Sequence, residues 1–523
     1  MEHLQHKLKN ALITVYDKSG IVEFAKGLSK LGIEIYSTGG TKKFLSDNGL
    51  KVRSVEEITQ FPEILDGRVK TLHPKLFAGI LARFDKPDHC KQLEIHNINS
   101  IDLVVCNLYP FESTFKNLVS NSKILNEKLF EVLEMIDIGG PSLLRAASKN
   151  FYWTLPVVNP NRYGEILNVL ENNNLSIPLD FRLSLARETF EYIAHYDVVI
   201  AEFFRRISSS EFTNFFQISL PMEFNLRYGE NPQQRASLYG SFSTLFEKLH
   251  GKELSYNNIL DIDSATRLII EFDLPTVAIF KHTNPCGVGT DTNLVEAFKK
   301  AFATDTVSPF GGIIVTNHIV GKEFANEVHP IFTEVIIAPG FTEESLEILK
   351  KKKDRRLIKV DLEAFKNSIK IEYRSVTNGV LVQDSDRWLI NANEFKVVSQ
   401  REPTEEEIQS MIFGLKVVKH VKSNAIVFAK PDRTIGIGAG QMSRVDSSRI
   451  AIEKAKLMGL DLNGTVVASD AFFPFPDSVV EAAKAGATAI IQPGGSIRDK
   501  EVIEAANQNN IAMVFTNMRH FKH

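Results

Sequence analysis

The sequence predicts an α/β protein of more than one domain, with a parallel sheet in its first 150 residues. Three observations carry this prediction. The chain has 523 residues, which is too long for one ordinary core and indicates about two to four domains. Its content of 43% hydrophobic and 24% charged residues is that of a soluble globular protein. Short apolar runs alternate with helix-length amphipathic runs, as in parallel sheets covered by helices.

The predicted N-terminal sheet can be followed element by element. Apolar runs predict strands at NALITVYD, IEIYSTGG and DLVVCNLYPF. Amphipathic runs between the first two strands and after the second predict helices at IVEFAKGLSKLG and TKKFLSDNGL, and glycine ends both of them. Ligands of such sheets usually bind at the carboxyl ends of the strands, where the segments STGGT and NLYPF lie.

A long helical pattern, PLDFRLSLARETFEYIAHYDVVIAEFFRRI, lies between the polar segments ENNN and SSSEFT. We place a domain boundary there, near residue 205, which gives an N-terminal domain of residues 1–205 and a C-terminal part of residues 206–523.

The C-terminal part contains an internal similarity. AIFKHTNPCGVGT followed by SPFGGIIV resembles AIVFAKPDRTIGIGAG followed by SDAFFPF, which predicts two related subdomains, approximately 206–360 and 361–523. Between them, the charged run KKKDRR is interpreted as a solvated linker or helix end.

Composition excludes several classes of protein. The formal net charge of −3, with both signs scattered, gives no reason to expect nucleic acid or a membrane as partner. Cys90, Cys106 and Cys286 are widely spaced, so neither a disulfide framework nor a zinc site is indicated. The N-terminus lacks the apolar stretch of a signal peptide, and no segment approaches a membrane span. We therefore expect a cytoplasmic protein.

Three N-terminal segments favour a small phosphorylated ligand. STGGT, at Ser37 to Thr41, follows a strand and opens a helix, so it could receive a phosphate or be an ordinary helix cap. DGRVKTLHP gathers cationic and polar side chains that suit an anion, although a solvated loop would look similar. IDIGGPSLLRAASKN places Asp137 before a helix, either as an acid or as a helix-start residue.

The segment KHTNPCG carries the strongest chemical signal of the C-terminal part. His282 and Cys286 are too close in sequence for a typical catalytic pair. Zinc deamination would need H-x-E and P-C-x-x-C, which the chain lacks. A histidine general base beside a lysine that stabilises an oxyanion needs neither metal nor thiol, although His282 could also be an ordinary loop histidine.

Two further segments contain glycine beside polar residues. LRYGENPQQ has groups that recognise flat polar molecules, or is a turn. GIGAGQMSR is interpreted as a glycine turn without dinucleotide-binding spacing, and no Walker A motif occurs. These absences count against a dehydrogenase and an ATP-driven enzyme.

The chain resembles, almost end to end, the bifunctional purine biosynthesis family that joins inosine monophosphate (IMP) cyclohydrolase to aminoimidazole carboxamide ribonucleotide (AICAR) formyltransferase. The resemblance implies a methylglyoxal-synthase-like N-terminal domain and two cytidine-deaminase-like C-terminal subdomains. It rests on the segments VYDKSG, STGGT, GRVKTLHP, NLYPF, IDIGGPSLLRAASKN, RYGENPQQ, LSYNNILD, KHTNPCG, SPFGG, VKSNAI, GIGAGQMSR, SDAFFPFPD and TNMRHF.

The resemblance implies that the C-terminal part transfers a formyl group from 10-formyltetrahydrofolate to the 5-amino group of AICAR, giving FAICAR. Lys281, His282 and Asn424 would be catalytic, with His282 as the general base. Residues implied to hold the ribonucleotide are Arg227, Tyr228, Phe310, Gly311 and Arg519, and Phe472 and Asp477 would border the folate pocket.

For the N-terminal domain, the resemblance implies dehydrative ring closure of FAICAR to IMP. Lys70, Tyr109, Asp137 and Lys149 would assist proton transfer and stabilise the oxyanion. Residues implied to anchor the nucleotide are Lys18, Ser37, Thr38, Gly39, Arg68 and Thr71. The family further implies a homodimer with shared formyltransferase sites and a structural potassium ion bound largely by carbonyl oxygens, with no catalytic metal.

Overall fold

The computed structural model describes residues 6–119, 128–208, 214–387 and 391–523. The chain divides into two compact units, residues 1–220 and 221–523. A domain boundary near residue 205 stays a prediction beside this division, and most of the predicted polar segment SSSEFT lies outside the described residues. No helix in the described ranges is long and apolar enough to cross a membrane.

The N-terminal unit is built on a parallel sheet, as its strand and helix pattern predicts. Within the described residues the sheet has five strands in the order β3-β2-β1-β4-β5, all parallel. The three predicted strands are confirmed as the first, second and fourth strands along the chain, β1, β2 and β4. The strands are β1 (Asn10–Val15), β2 (Glu34–Ser37), β3 (Arg53–Ser54), β4 (Leu103–Asn107) and β5 (Leu155–Val157).

Helices cover both faces of this sheet. In β1, Ala11, Ile13 and Val15 join one hydrophobic cluster while Leu12 joins another on the opposite face, because successive side chains of a strand point to opposite sides. The predicted long helix is confirmed as α10. The helices are α1 (Ile21–Lys30), α2 (Gly39–Asp47), α3 (Glu56–Thr59), α4 (Pro74–Leu81), α5 (Pro87–Ile95), α6 (Phe111–Val119), α7 (Leu129–Leu133), α8 (Gly139–Lys149), α9 (Tyr163–Asn172) and α10 (Leu179–Ile207).

The C-terminal unit is built on a large mixed sheet, with two small hairpins beside it. Its strands are β6 (Met222–Leu226), β7 (Ala236–Tyr239), β8 (Phe246–His250), β9 (Thr276–Lys281), β10 (Asn284–Thr290), β11 (Gly312–Thr316), β12 (Thr333–Ala338), β13 (Arg356–Val360), β14 (Ile371–Val376), β15 (Gly379–Asp384), β16 (Lys396–Val397), β17 (Ile426–Lys430), β18 (Arg433–Gly438), β19 (Val466–Ser469), β20 (Ala489–Gln492) and β21 (Ala512–Phe515). Its helices are α11 (Tyr256–Ile269), α12 (Leu294–Thr304), α13 (Lys322–Val328), α14 (Glu343–Leu349), α15 (Leu362–Ser368), α16 (Glu405–Val418), α17 (Arg444–Leu457), α18 (Asp477–Ala485) and α19 (Asp499–Gln508).

Among the described residues the large sheet has twelve strands in the order β16-β21-β20-β19-β17-β18-β10-β9-β11-β12-β13-β8. This order is a repeat. The first half runs helix, hairpin β9–β10, helix, then parallel strands β11, β12 and β13; the second runs helix, hairpin β17–β18, helix, then β19, β20 and β21. The halves meet where β10 pairs with β18, and this repeat corresponds to the internal similarity of the sequence.

The structure corrects the interpretation of GIGAGQMSR as a glycine turn. Gly436 and Gly438 lie in strand β18, and Gly440 is the residue with a left-handed φ of 66°. A Cβ at either strand glycine would overlap a carbonyl oxygen of α17, and Gly287 and Gly289 stand in the same relation to α12. The glycines therefore allow a helix to pack close to a strand in each half.

The charged run KKKDRR, interpreted as a solvated linker or helix end, contains one buried residue. It follows the end of α14, as expected of a helix end, but Arg355 is only 2% exposed. Its guanidinium donates to the carbonyl oxygens of His329 (3.2 Å) and Ile331 (2.7 Å). Arg355 thus contacts the loop before β12, where the Ile331 carbonyl also accepts from Lys352 (3.0 Å).

Candidate active sites

The first candidate site lies at the carboxyl ends of β1, β2 and β4. Asn107, the last residue of β4, accepts hydrogen bonds from the backbone N–H of Tyr16 (2.6 Å) and Asp17 (2.9 Å), and its amide donates to the Asp17 carbonyl (3.0 Å). These bonds fix the loop after β1 against the end of β4. The segments VYDKSG and NLYPF are thereby brought together at one edge of the sheet, as the parallel topology predicts.

The segment STGGT forms the end of β2 and the start of α2. The Ser37 hydroxyl donates to the Ile13 carbonyl (2.6 Å), and the Thr38 hydroxyl lies 3.2 Å from that of Thr14, so both buried side chains bond within the sheet. Gly39 and Gly40, by contrast, are exposed at the helix N-terminus. In this arrangement the backbone N–H groups of the first helical turn are the donors available to an anion.

Two lysines converge beside this helix N-terminus. The Lys18 ammonium donates to the hydroxyl of Thr41 (3.0 Å) and to the Val15 carbonyl. Burial lowers the pKa of Lys18, and the nearby charge of Lys70 lowers it further. The charge of Asp17 opposes both effects. Two cations held this close favour an anionic ligand.

Asp137 lies at the same site, just before α8. Its carboxylate accepts the Gly140 N–H (2.8 Å), and its own N–H donates to the Tyr196 hydroxyl (2.8 Å) of α10. Burial raises the pKa of Asp137, against the opposing effects of the Gly140 N–H and the Lys70 charge. A carboxyl group with a raised pKa suits proton exchange near neutral pH.

The other predicted N-terminal residues fall into two groups. The Thr71 hydroxyl is buried against Gly139, and the Tyr109 ring packs edge-on against Tyr16 at 5.5 Å, so both belong to this site. The exposed Arg68 pairs with Glu134. Lys149 is the last residue of the eleven-residue helix α8, about 15 Å along its axis from Gly139, so it lies at the opposite end of this helix from Asp137.

The second candidate site is built on the hairpin of β9 and β10, in the C-terminal unit. Lys281 pairs with Asn284, so the turn between the strands consists of His282 and Thr283 alone. Their φ angles are 52° and 61°, the left-handed values that a two-residue type I′ turn requires at both positions. KHTNPCG is thus a hairpin tip that presents the exposed imidazole of His282.

Lys281 is oriented by the loop before β11. Its ammonium donates to the Phe310 carbonyl (2.9 Å), and Gly311 follows with a left-handed φ of 73°. The Phe310 ring is 68% exposed and packs at 4.8 Å on Phe332. The structure therefore brings Phe310 and Gly311 beside the lysine, and an ammonium has further N–H groups left for a ligand.

A cleft of about 260 Å³ opens beside this hairpin, lined by Lys281, His282, Asn284, Pro285, Cys286, Thr304, Ser308, Ile437, Ala439, Ile450 and Lys454. Burial raises the pKa of the Cys286 thiol to about 12. The thiolate that a nucleophilic cysteine needs is therefore scarce at neutral pH. The His282 imidazole, by contrast, is exposed at the hairpin tip.

Asn424 lies before β17, and its amide is held at both ends. Its Oδ1 accepts from the Arg444 guanidinium (2.9 Å), and its Nδ2 donates to the Gln441 carbonyl (2.9 Å). Asn284 joins the hairpin to this segment, because it donates to the His282 carbonyl (3.1 Å) and accepts the Lys422 N–H (2.9 Å). One N–H of the Asn424 amide stays available for a ligand.

None of the seven binding residues predicted for the C-terminal part is among those that line the cleft. Phe310 and Gly311 lie beside Lys281, and the other five are described by their own surroundings. Arg227 lies over the Tyr228 ring at 5.6 Å, just after β6, and Arg519 lies over Phe521 at 4.3 Å near the C-terminus. Phe472 is 37% exposed after β19, and Asp477 begins α18. Their roles stay predictions.

Among the described residues, no group of three or more His, Cys, Asp or Glu side chains is placed to hold a metal ion. The potassium ion, expected on main-chain carbonyl oxygens, stays a prediction.

Sequence reasoning missed several residues that build these sites. Asn107 could have been found, because a carboxamide at the end of the apolar run LVVCN marks the carboxyl end of a strand. Asp261 on α11 accepts the Thr283 N–H (2.6 Å), and Tyr192 on α10 accepts the Leu108 N–H (3.0 Å). Both act from helices. Asp261 is the last residue of LSYNNILD, a segment that pointed to the family but not to this contact, and none of the segments that carry the resemblance contains Tyr192.

Two family models match the chain. One, described as AICARFT/IMPCHase bienzyme, matches residues 147–454, and one described as MGS-like domain matches residues 20–142.

Curated proteins named "Bifunctional purine biosynthesis protein PurH" match over nearly their whole length. Those of Chlorobium phaeobacteroides and Chloroflexus aurantiacus are each 51% identical, covering 99% of both chains. That of Caldicellulosiruptor saccharolyticus is 50% identical over 98% of this chain and 100% of its own. A solved structure titled "Crystal structure of ForH" is 32% identical over 38% of this chain, with a TM-score of 0.32.

Proposed function

Because the chain belongs to the family of bifunctional purine biosynthesis enzymes with AICAR formyltransferase and IMP cyclohydrolase activities, we propose that its C-terminal unit catalyses the formyl transfer and its N-terminal unit the ring closure. In this assignment the formyl group passes from 10-formyltetrahydrofolate to the 5-amino group of AICAR. The product FAICAR then closes to IMP with loss of water. The observation that carries the proposal is the exposed imidazole at the tip of the β9–β10 hairpin, next to Lys281.

His282 acts as general base in the formyl transfer. The aromatic amine of AICAR is a weak nucleophile because its lone pair is delocalised toward the carboxamide. His282 removes the amine proton as the nitrogen attacks the formyl carbon, and such proton transfer contributes about 10²- to 10⁴-fold in rate. The high pKa of Cys286 supports this role for the imidazole, since the thiol beside it is a poor competitor.

The tetrahedral intermediate carries a negative oxygen, which Lys281 and Asn424 stabilise. The Lys281 ammonium keeps N–H groups beyond the one bonded to Phe310, and the Asn424 amide keeps one beyond its bond to Gln441. Arg444 holds the oxygen end of that amide, so its nitrogen end is fixed in direction. Donors fixed in advance lower the barrier because they need no reorganisation when charge develops.

Ring closure in the N-terminal unit joins two groups of one molecule, so binding FAICAR in a closed conformation supplies much of the rate. The phosphate binds at the N-terminus of α2 near Lys18, with Ser37, Thr38, Gly39, Arg68 and Thr71 around it. Lys70 and Asp137 assist proton transfer and oxyanion stabilisation. The assignment is supported by the interaction of their charges and by the pKa of Asp137, which burial raises. Tyr109 and Lys149 complete the proposed set.

We further propose that the reduced folate is a cosubstrate, that the enzyme works in the cytoplasm, and that it forms a homodimer with shared formyltransferase sites. A second copy would supply residues such as Arg227 and Arg519, which do not line the cleft of one chain. Sedimentation of the active enzyme tests this: a fully active monomer would contradict it.

Replacement of His282 by alanine in the full chain tests the central assignment. We expect the folate-dependent formylation of AICAR to fall at least about 10²-fold. AICAR binding, measured by calorimetry, should persist, and the ultraviolet change on adding FAICAR should report unchanged cyclisation. His318→Ala, at an exposed histidine of the same unit, is the matched control and should stay active. Normal turnover by His282→Ala would assign the base to another residue.

A further inference from the structure

The turn that carries His282 has an unfavourable backbone conformation. Both of its central residues have left-handed φ angles, 52° and 61°, and neither is glycine. Thr283 is β-branched, and for such residues a positive φ is a genuine outlier. A conformation of this kind persists only when the surrounding structure holds it.

Asp261 provides that support from helix α11. Its carboxylate accepts the backbone N–H of Thr283 at 2.6 Å, the amide next to the His282 carbonyl. Burial raises the pKa of Asp261, whereas this hydrogen bond and the charges of His282 and Lys422 favour the ionised form; Glu334 opposes it. The carboxylate is thus a partly buried acid that is hydrogen-bonded to the strained turn.

The second half of the unit lacks this combination. Its hairpin turn consists of Pro431 and Asp432, because Lys430 pairs with Arg433, and neither turn residue has a positive φ. Helices α11 and α16 each have 14 residues and start with a capping box, so Asp261 corresponds in position to Ser410. The Ser410 hydroxyl bonds within its own helix, to the Glu406 carbonyl (2.9 Å). The acid and the left-handed turn therefore occur together.

We propose that Asp261 is a positioning residue for formyl transfer, which holds the His282–Thr283 turn in its left-handed conformation and so fixes the imidazole at the cleft. The proposal rests on the proposed role of His282. Asp261 itself has no direct part in the proton transfer. Its contribution is geometric: without it the turn would relax to allowed backbone conformations and move the base away from the amine.

A double-mutant cycle in the full-length enzyme tests this role. We expect Asp261→Ala to lower kcat of formyl transfer about 10- to 100-fold, the cost of misplacing a reacting group, with little change in KM for AICAR. Thr283→Gly removes the penalty for a left-handed φ, since glycine adopts it freely. In the Thr283→Gly background the loss caused by Asp261→Ala should therefore shrink to a few-fold. Asp261→Asn keeps an acceptor oxygen and should retain more activity than Asp261→Ala.

Two controls separate this role from general destabilisation. FAICAR cyclisation by the same variants should be unchanged, because it belongs to the other unit. Asp263→Ala, two residues further along α11 and paired with Arg267 (2.7 Å), should leave kcat near that of the unmodified enzyme.

Full activity of Asp261→Ala, or an equal loss in both Thr283 backgrounds, would overturn the proposal. An active His282→Ala would instead remove the proposed function on which it rests, so the two failures can be told apart.

Discussion

The two halves of the C-terminal unit share one scaffold but differ in what their hairpins present. Each half places a strand hairpin between two helices, and each has a strand-final lysine at the turn, Lys281 or Lys430. Each also has a pair of strand glycines against the following helix. The first turn has a left-handed backbone conformation and carries the exposed imidazole of His282, whereas Pro431 and Asp432 form the second turn, without positive φ angles.

The clefts beside the two hairpins also differ in the side chains that line them. The second, of about 580 Å³, is lined by Lys300, Lys430, Asp432 and Arg433 among others. Asp432 pairs with both Lys300 (2.7 Å) and Arg433 (2.9 Å), so the charges there largely neutralise one another. A duplicated scaffold therefore does not by itself create a duplicated site. The chemistry depends on the residues at the turn and on what holds them.

The largest expected effect compares the two lysines. We expect Lys281→Ala to lower kcat of formyl transfer by about 10²- to 10³-fold, because it removes a preorganised donor to the oxyanion. Lys430→Ala, at the matching position of the other hairpin, should change it less than about twofold, as surface substitutions usually do. Parallel kinetics of both variants measures the contrast. Equal losses would mean that the second cleft takes part in the reaction.

The next effect should be nearly equal in the two halves, since it concerns the shared scaffold. Gly289→Ala and Gly438→Ala would each press a methyl group against a helix carbonyl, of Ala297 or Ser447. We expect each to destabilise its half by about 3 kcal/mol, the cost of overpacking a close contact.

Hydrogen exchange of peptides from β9 and β17 measures the effect of the glycine substitutions. Gly340→Ala, where an added Cβ would make ordinary contact with Ile319 at 3.5 Å, serves as the control. If only one half lost protection, the packing of the two halves would not be equivalent.

The smallest effect concerns a contact between the halves. Glu271 follows α11 and His420 follows α16, and their side chains meet at 3.1 Å. Burial lowers the pKa of His420 to about 4, whereas the unfolded chain has the ordinary value near 6.5. Below pH 6.5 the unfolded state binds a proton that the folded state does not. The free energy of unfolding therefore decreases as the pH is lowered from about 6.5 to about 4, and at pH 5 it is about 2 kcal/mol below its value at pH 7.

Urea unfolding at pH 7 and pH 5 checks this sign. His420→Gln should lose that part of the pH dependence, because glutamine does not titrate. Glu271, whose pKa hydrogen bonding and nearby charge lower to about 2 despite burial, should add acid sensitivity only below about pH 4.5. A His420→Gln protein with unchanged pH dependence would contradict the assignment.

Local pattern was sufficient for the elements that the sequence predicts correctly. Apolar runs of four to six residues became β1, β2 and β4, and the long amphipathic run became α10. These predictions succeed because the apolar residues that form the buried face of a strand or helix are close to one another in the chain. The same logic located STGGT and NLYPF at the carboxyl ends of strands.

What the sequence did not predict depends on contacts between distant segments. No local signal distinguishes the left-handed His282–Thr283 turn from an ordinary loop, because neither residue is glycine and the support comes from Asp261. The glycines of β18 were misinterpreted for a related reason, since a close helix and a tight turn both exclude side chains. Lys149 shows a further limit of reading motifs. It shares the segment IDIGGPSLLRAASKN with Asp137, but the length of helix α8 separates the two residues.

The connection between the halves stands apart from the sheet that unites them. In the described part of the chain, β14 and β15 pair with each other and with no strand of the large sheet. One hydrophobic cluster contains Val315 and Ile337 of the first half together with Val427 and Ile491 of the second. Cohesion of the halves thus does not depend on covalent continuity at this hairpin. If the chain were cut at this hairpin, the two fragments would still share a hydrophobic core around which to reassemble. If the connection were lengthened, the same core would still join the halves.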